Sequence, residues 1–134
     1  MIRYMLDTNT IAYARNRKPA CVLERLLQHD PSEICISSLT MAELEYGVFN
    51  SSKPLQNRTA LLMFLSGITI LPFDTDASLD YGDIRYKLKT SGAIIGGNDL
   101  LIAAHARSQG LTLVTHNTKE FSRVENLQLE DWAV

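Results

Sequence analysis

Cysteine is scarce in this 134-residue sequence, with two thiols in all. Cys21 and Cys35 lie too far apart for a CxxC motif, and Cys35 sits in the apolar run ICIS, where a small reduced side chain packs well. Both read as reduced structural residues. Long hydrophobic runs are missing too: LLMFL at 61–65 and LLIAA at 100–104 fall far short of the ~18 residues that span a membrane. Asp7 breaks the amino-terminal apolar stretch before a signal peptide could form, so a cytoplasmic protein is expected. Neither sign of charge is in large excess. A formal net charge of −2 argues against coating nucleic acid by bulk electrostatics, and leaves only local basic rims. Arg15, Arg17 and Lys18 form the densest of these, and Arg85, Lys87 and Lys89 a second. Repeats, low-complexity tracts and linkers are absent as well. With 46% hydrophobic and 21% charged residues, the chain has the composition of a folded protein, and residues 1–134 are expected to form a single domain.

What is present is alternation. Four short β-type runs, RYML at 3–6, EICIS at 33–37, ITILPF at 68–73 and LTLVT at 111–115, are separated by segments with helical periodicity. The helical candidates run from Thr8 to Arg15, onward from Pro19 at a first-turn position, from Leu39 to Phe49, Leu55 to Leu65, Asp76 to Lys89, and Asp99 to Gln109. Gly110 suits a left-handed cap on the last. LQL at 127–129 is a weak candidate for an edge strand, and the tail EDWA, with the only tryptophan, reads as docking the carboxy terminus. This order predicts an α/β fold with a mainly parallel sheet.

In such a sheet, acids that follow strands collect on one edge. Asp7 follows the first strand, Glu43 lies early in the helix after EICIS, and Asn117 and Glu120 follow LTLVT. Asp99 opens a helix in which Ile102, Ala103 and Ala106 share its face. Each acid also has a plain structural reading. Asp7 or Asn9 caps a helix, Thr40 to Glu43 matches a capping box, and Asn98-Asp99 suits a cap followed by a first-turn acid. Periodicity does not rank Glu43 against Glu45. Two carboxylates ~4 Å apart repel by about 4 kcal/mol at an effective dielectric near 20, a serious burden against ~5–15 kcal/mol of total stability. Three in one cleft need a neutralising partner, and an all-oxygen set favours Mg2+ or Mn2+ over zinc.

MLDTNT at 5–10, ISSLTMAELEYG at 36–47, IGGNDLLIAAHARSQGLTLVT at 95–115, HNTKEF at 116–121 and the closing EDW, in this order, resemble PIN-domain ribonucleases of the VapC toxin family. The resemblance spans nearly the whole chain. It implies a Rossmann-like α/β/α sandwich, a homodimer, and an acidic pocket that binds Mg2+ or Mn2+ and cleaves RNA, with tRNA the expected substrate and translation and growth inhibited. It implies a cognate VapB-like antitoxin that holds the enzyme inactive. Asp7, Glu43 and Asp99 match the family acids, which selects Glu43 over Glu45; Asn117 stands where many PIN domains carry aspartate, with Glu120 as a possible replacement. Thr8 and Thr115, within the matched motifs, would sit beside the pocket and either orient ligands or phosphate or cap their own helices. Arg15, Arg17 and Lys18 become candidates for holding the RNA backbone. His105 reads as a packed or partly exposed helix residue, and His116 as a neighbour of the site. A receiver-like Mg2+-binding signalling module is the rival, with Asp74 as its phosphorylatable aspartate but no lysine at the LTLVTHN junction. A DNA nuclease and a non-catalytic PIN-like binding subunit stand as further alternatives.

Overall fold

All four β-type runs become strands, each shorter than its run: β1 (Tyr4–Leu6), β2 (Ile34–Ser37), β3 (Thr69–Leu71) and β4 (Thr112–Val114). A fifth, β5 (Leu129–Glu130), forms an edge beside β4, slightly later in the chain than the expected 127–129. The computed structural model describes residues 1–134, and its strands make one sheet in the order β3-β2-β1-β4-β5, with every neighbouring pair parallel.

The central strands are buried on both sides, which is why YML and ICIS read as continuous apolar runs. Alternation divides their side chains between two layers. Tyr4, Leu6, Ile34, Ile36 and Val114 join one apolar cluster, while Met5, Cys35 and Leu113 join the other. Burial pushes the Cys35 thiol up to about 12, so it stays protonated and inert.

The first layer holds α1 (Thr8–Asn16), α2 (Ala20–Leu27), α3 (Ser38–Phe49) and α4 (Pro54–Phe64); the second holds α5 (Thr75–Thr90), α6 (Gly97–Ser108) and α7 (Thr118–Phe121). The split follows from handedness. The path steps one way through β1, β2 and β3, then crosses to β4 and steps the other way, so right-handed crossovers place the two sets of helices on opposite faces. The result is the Rossmann-like α/β/α sandwich. No helix is long and apolar enough to cross a membrane.

Several helix starts differ from expectation. Pro19 is the residue before α2 and not in its first turn, because its extended backbone follows the left-handed Arg17 that closes α1. Ser37, not Thr40, caps α3: its hydroxyl accepts from the Leu39 N–H at 3.1 Å, and Thr40 is buried inside the helix without a side-chain partner. Gly96 precedes α6, so Asn98 and Asp99 both fall in the first turn. Gly110, at φ 66°, takes the left-handed conformation expected of it.

His105 lies fully inside the second layer, its Nδ1 2.7 Å from the Ser37 hydroxyl and its ring edge-on to Phe73. The Ser37 hydroxyl thus bridges the Leu39 N–H and the His105 ring nitrogen. Burial holds the imidazole pKa below its usual 6.5, only partly opposed by Asp74 and the Pro72 carbonyl. The folded state therefore binds its proton less readily than the unfolded chain. This contribution is intact above about pH 6.5 and is lost as the pH falls through the depressed folded value. Urea midpoints measured from pH 7.5 to 5 should fall more steeply for the wild type than for His105→Asn; equal slopes would remove His105 from the acid response.

Candidate active site

β1 has β2 on one side and β4 on the other, and the connections from β1 and β4 leave into opposite layers. Open α/β sheets bind ligands in the crevice above such a divergence. Asp7 stands there, directly after β1 and 9% exposed. It is the cap of α1, accepting from the Thr10 N–H through Oδ1 at 2.9 Å. Its own N–H and the Thr10 hydroxyl both bond the Val114 carbonyl, at 3.2 and 3.1 Å, pinning the start of α1 to β4. Capping uses one carboxylate oxygen, and Oδ2 stays without a protein donor. The cap and pocket readings of Asp7 are thus compatible.

Glu43 arrives from α3. The buried stripe of that helix is Thr40, Leu44 and Val48, while Ala42 and Tyr46 are exposed. Glu43 stands beside Leu44, and its Oε1 accepts from the Thr8 hydroxyl at 2.9 Å. Glu45 is occupied elsewhere in a two-point pair with Arg58, at 3.2 and 3.3 Å. Asp99, at the head of the buried stripe Ile102, Ala103 and Ala106, accepts a long 3.4 Å bond from the Asn117 side chain. Asp7, Thr8, Asn9, Glu43, Asn98 and Asp99 line one cavity of about 100 Å³. Asn9 and Asn98 were not foreseen as rim residues; their only signal is adjacency to Asp7 and Asp99.

The remaining candidates lie around this cavity. Asn117 and Glu120, before and within α7, approach it from the Asp99 side. Thr115 is buried, and its hydroxyl accepts from the Asn117 N–H at 3.0 Å, so it holds that turn and does not face the cavity. Arg15 lines an adjoining cleft, whereas Arg17 and Lys18 are exposed beyond the end of α1. His116 is bound through Nδ1 to Asp131 at 2.9 Å and lies edge-on to Tyr13. Asp74 caps α5 through Ala77 at 3.0 Å, which gives it a structural role.

Electrostatics set the acidic cavity apart. The Asp99 carboxyl is held above its ordinary pKa, chiefly by burial, then by the negative charge of Glu120, Asp7 and Glu43. Its contact with Glu120 brings two carboxyls together, which is favourable only with a shared proton or an intervening cation. No three acidic, histidine or cysteine side chains close into a ready-made ligand cage. Mg2+ does not require one, because it keeps several waters and takes one or two carboxylates directly. The oxygen-only donors and the uncompensated charge fit such an ion. A larger cavity of about 340 Å³, toward the carboxyl end of α6, lacks this character: its Arg107 is already clamped by Asp80 and Asp83, at 2.7 Å each.

The PIN-domain family model matches residues 4–127. The chain belongs to the PIN-domain family. Among curated relatives of this PIN domain, it is 48% identical over 130 residues to Ribonuclease VapC2 of Rickettsia felis, covering 96% of this chain and 97% of the relative. It is 43% identical over 133 residues to the tRNA(fMet)-specific endonuclease VapC of Shigella flexneri, covering 99% and 100%. Its structure superimposes on VapBC2 of Rickettsia felis bound to a DNA fragment from its promoter, with a TM-score of 0.88, 46% identity and coverage of 98% and 99%. It is a VapC-type PIN domain, and the receiver-like alternative falls with that assignment and with the capping role of Asp74.

Proposed function

We propose that this VapC-type PIN domain is an endoribonuclease toxin that uses Mg2+ or Mn2+ to hydrolyse RNA phosphodiester bonds. The observation that carries the metal is the convergence of Asp7, Glu43 and Asp99 on one small cavity whose lining holds no lysine or arginine; the raised pKa of Asp99 agrees with it. Asp7, Glu43 and Asp99 would hold the ion, with Asn117 or Glu120 completing its shell. When bound, such an ion supplies Lewis acidity toward water and offsets charge on the phosphate. The protein's part is orientation: Thr10 fixes one oxygen of Asp7 and Thr8 fixes one of Glu43, so each carboxylate presents its other oxygen to the cavity. Asn117 steadies Asp99 from the opposite side. Products with a 5′-phosphate and a 3′-hydroxyl are expected.

The name of the Shigella flexneri relative supports tRNA as the substrate class. The Rickettsia felis VapBC2 complex supports a VapB-like antitoxin partner. We infer action in the cytoplasm, with translation and growth as the processes inhibited. We also infer a homodimer: α3 and α4 leave Tyr46, Phe49, Leu62 and Met63 exposed, apolar surface of the kind partner chains cover.

Regulated expression of wild type and Asp7→Asn, with sequencing of newly formed RNA 5′ ends, tests the reading. Growth arrest and site-specific cuts should appear with the wild type alone, since asparagine retains the cap but weakens the metal site. Cuts that persist in the variant would refute it. Thr8→Val should leave the fold intact and cost about 10–100-fold in cleavage rate, the usual loss when a ligand's outer partner is removed. Unchanged kinetics would show that Glu43 needs no such support.

A further inference from the structure

Beside the acidic cavity lies a second, larger cleft of about 440 Å³ between α1, α3 and α4, lined by Thr8, Arg15, Asn16, Glu43, Gly47 and Asn57 among others. The two share Thr8 and Glu43, whose mutual hydrogen bond forms the sill between them. We propose that this cleft is the subsite for the ribonucleotide flanking the scissile phosphate, an inference that rests on the nuclease reading above. Its volume lies in the ~300–1,000 Å³ range that seats a small organic molecule.

The lining chemistry favours RNA. Arg15 makes no ion pair, unlike Arg58 on the neighbouring α4, which is closed on Glu45. That leaves a guanidinium for a phosphate beside the cut. The side chains of Asn16 and Asn57 make no hydrogen bonds within the protein, so each offers a donor and an acceptor to a base edge. Gly47 is in the interior of α3, where glycine is a poor helix former, and a Cβ built there meets nothing within 4 Å. Gly82 in α5 is equally unobstructed, but only Gly47 borders a cleft. The missing side chain keeps the floor open.

The test uses a pool of short random-sequence single-stranded oligoribonucleotides. Wild type, Gly47→Leu, Gly47→Ala and Asn57→Ala are compared for KM, kcat and base preference at the cut, and each change is also made in an Asp99→Asn background for binding by fluorescence anisotropy. Gly47→Leu should raise KM and weaken binding at least tenfold, the scale of losing one or two hydrogen bonds, with kcat far less affected (~10-fold per 1.4 kcal/mol). Asn57→Ala should flatten the base preference on one side of the cut. Gly47→Ala should fold with a higher melting temperature, which guards against reading a folding defect as a lost subsite. Wild-type KM, binding and preference in both Gly47→Leu and Asn57→Ala would overturn the assignment while leaving the nuclease reading intact. If Gly47→Leu instead weakens only the antitoxin complex, the cleft belongs to the protein partner and the RNA assignment is overturned. A wild type that cuts no RNA in any metal would refute the nuclease reading, and the binding arm would still decide the cleft.

Discussion

Asp99→Asn is expected to cost at least about 100-fold in RNA cleavage while raising the melting temperature of the metal-free protein, since removing even a ligand's outer partner costs ~10–100-fold. The two effects have one cause. Burial and the charges of Glu120, Asp7 and Glu43 raise the pKa of Asp99, so the folded state holds its proton more tightly than the unfolded chain. For a raised carboxyl, stability is fully present below the unfolded value and is lost as pH rises through the folded one. At neutral pH the ionised acid is therefore a burden, and an amide of the same shape removes it. The wild type should regain stability when Mn2+ or Mg2+ is added, by about 2.7 kcal/mol at a hundredfold excess over Kd, and the variant should respond far less. Scanning calorimetry with and without metal reads all of this. A variant that melts lower than the wild type without metal, or responds to metal equally, would contradict the assignment of Asp99.

Trp132→Ala should cost about 3–5 kcal/mol, a large part of the ~5–15 kcal/mol that holds a domain folded. Although it is third from the end, Trp132 is 1% exposed. It lies edge-on to Tyr4 at 5.4 Å, stacks on His29 at 5.3 Å, and donates its indole N–H to Glu130 at 2.9 Å. Arg25 covers the ring and also pairs with Glu130. Urea denaturation should show a much lower midpoint for the alanine variant and an intermediate one for Trp132→Phe, which keeps apolar volume but not the donor. A loss under about 1 kcal/mol would mean that the first layer closes without its tail, since most surface substitutions fall within ~0.5 kcal/mol.

The sheet was legible because its strands are apolar runs set between helical segments, and periodicity reports that directly. Strand order is not written in periodicity; the placement of β4 beside β1 depends on a crossover over both α5 and α6. Helix starts were harder, because Ser37, Gly96 and the Thr40 to Glu43 stretch all carry plausible capping chemistry, and only the backbone decides which is used. The acids at 7, 43 and 99 were selected by ordered motifs and come together around one cavity. Periodicity left Glu43 and Glu45 unranked and the motif selected Glu43; what separates them physically, partners distant in sequence at Thr8 and Arg58, had no local signal. His105 was expected to be packed or partly exposed; its full burial and its bond to Ser37, 68 positions earlier, had no local signal.

The crossover has a temporal side. During synthesis, residues 7 and 43 leave the ribosome early, together with the strands β1, β2 and β3 that can pair among themselves. Residue 99 and β4 emerge later, after α4 and α5. A polypeptide still under construction therefore carries Asp7 and Glu43 before Asp99 exists to close the acidic cleft.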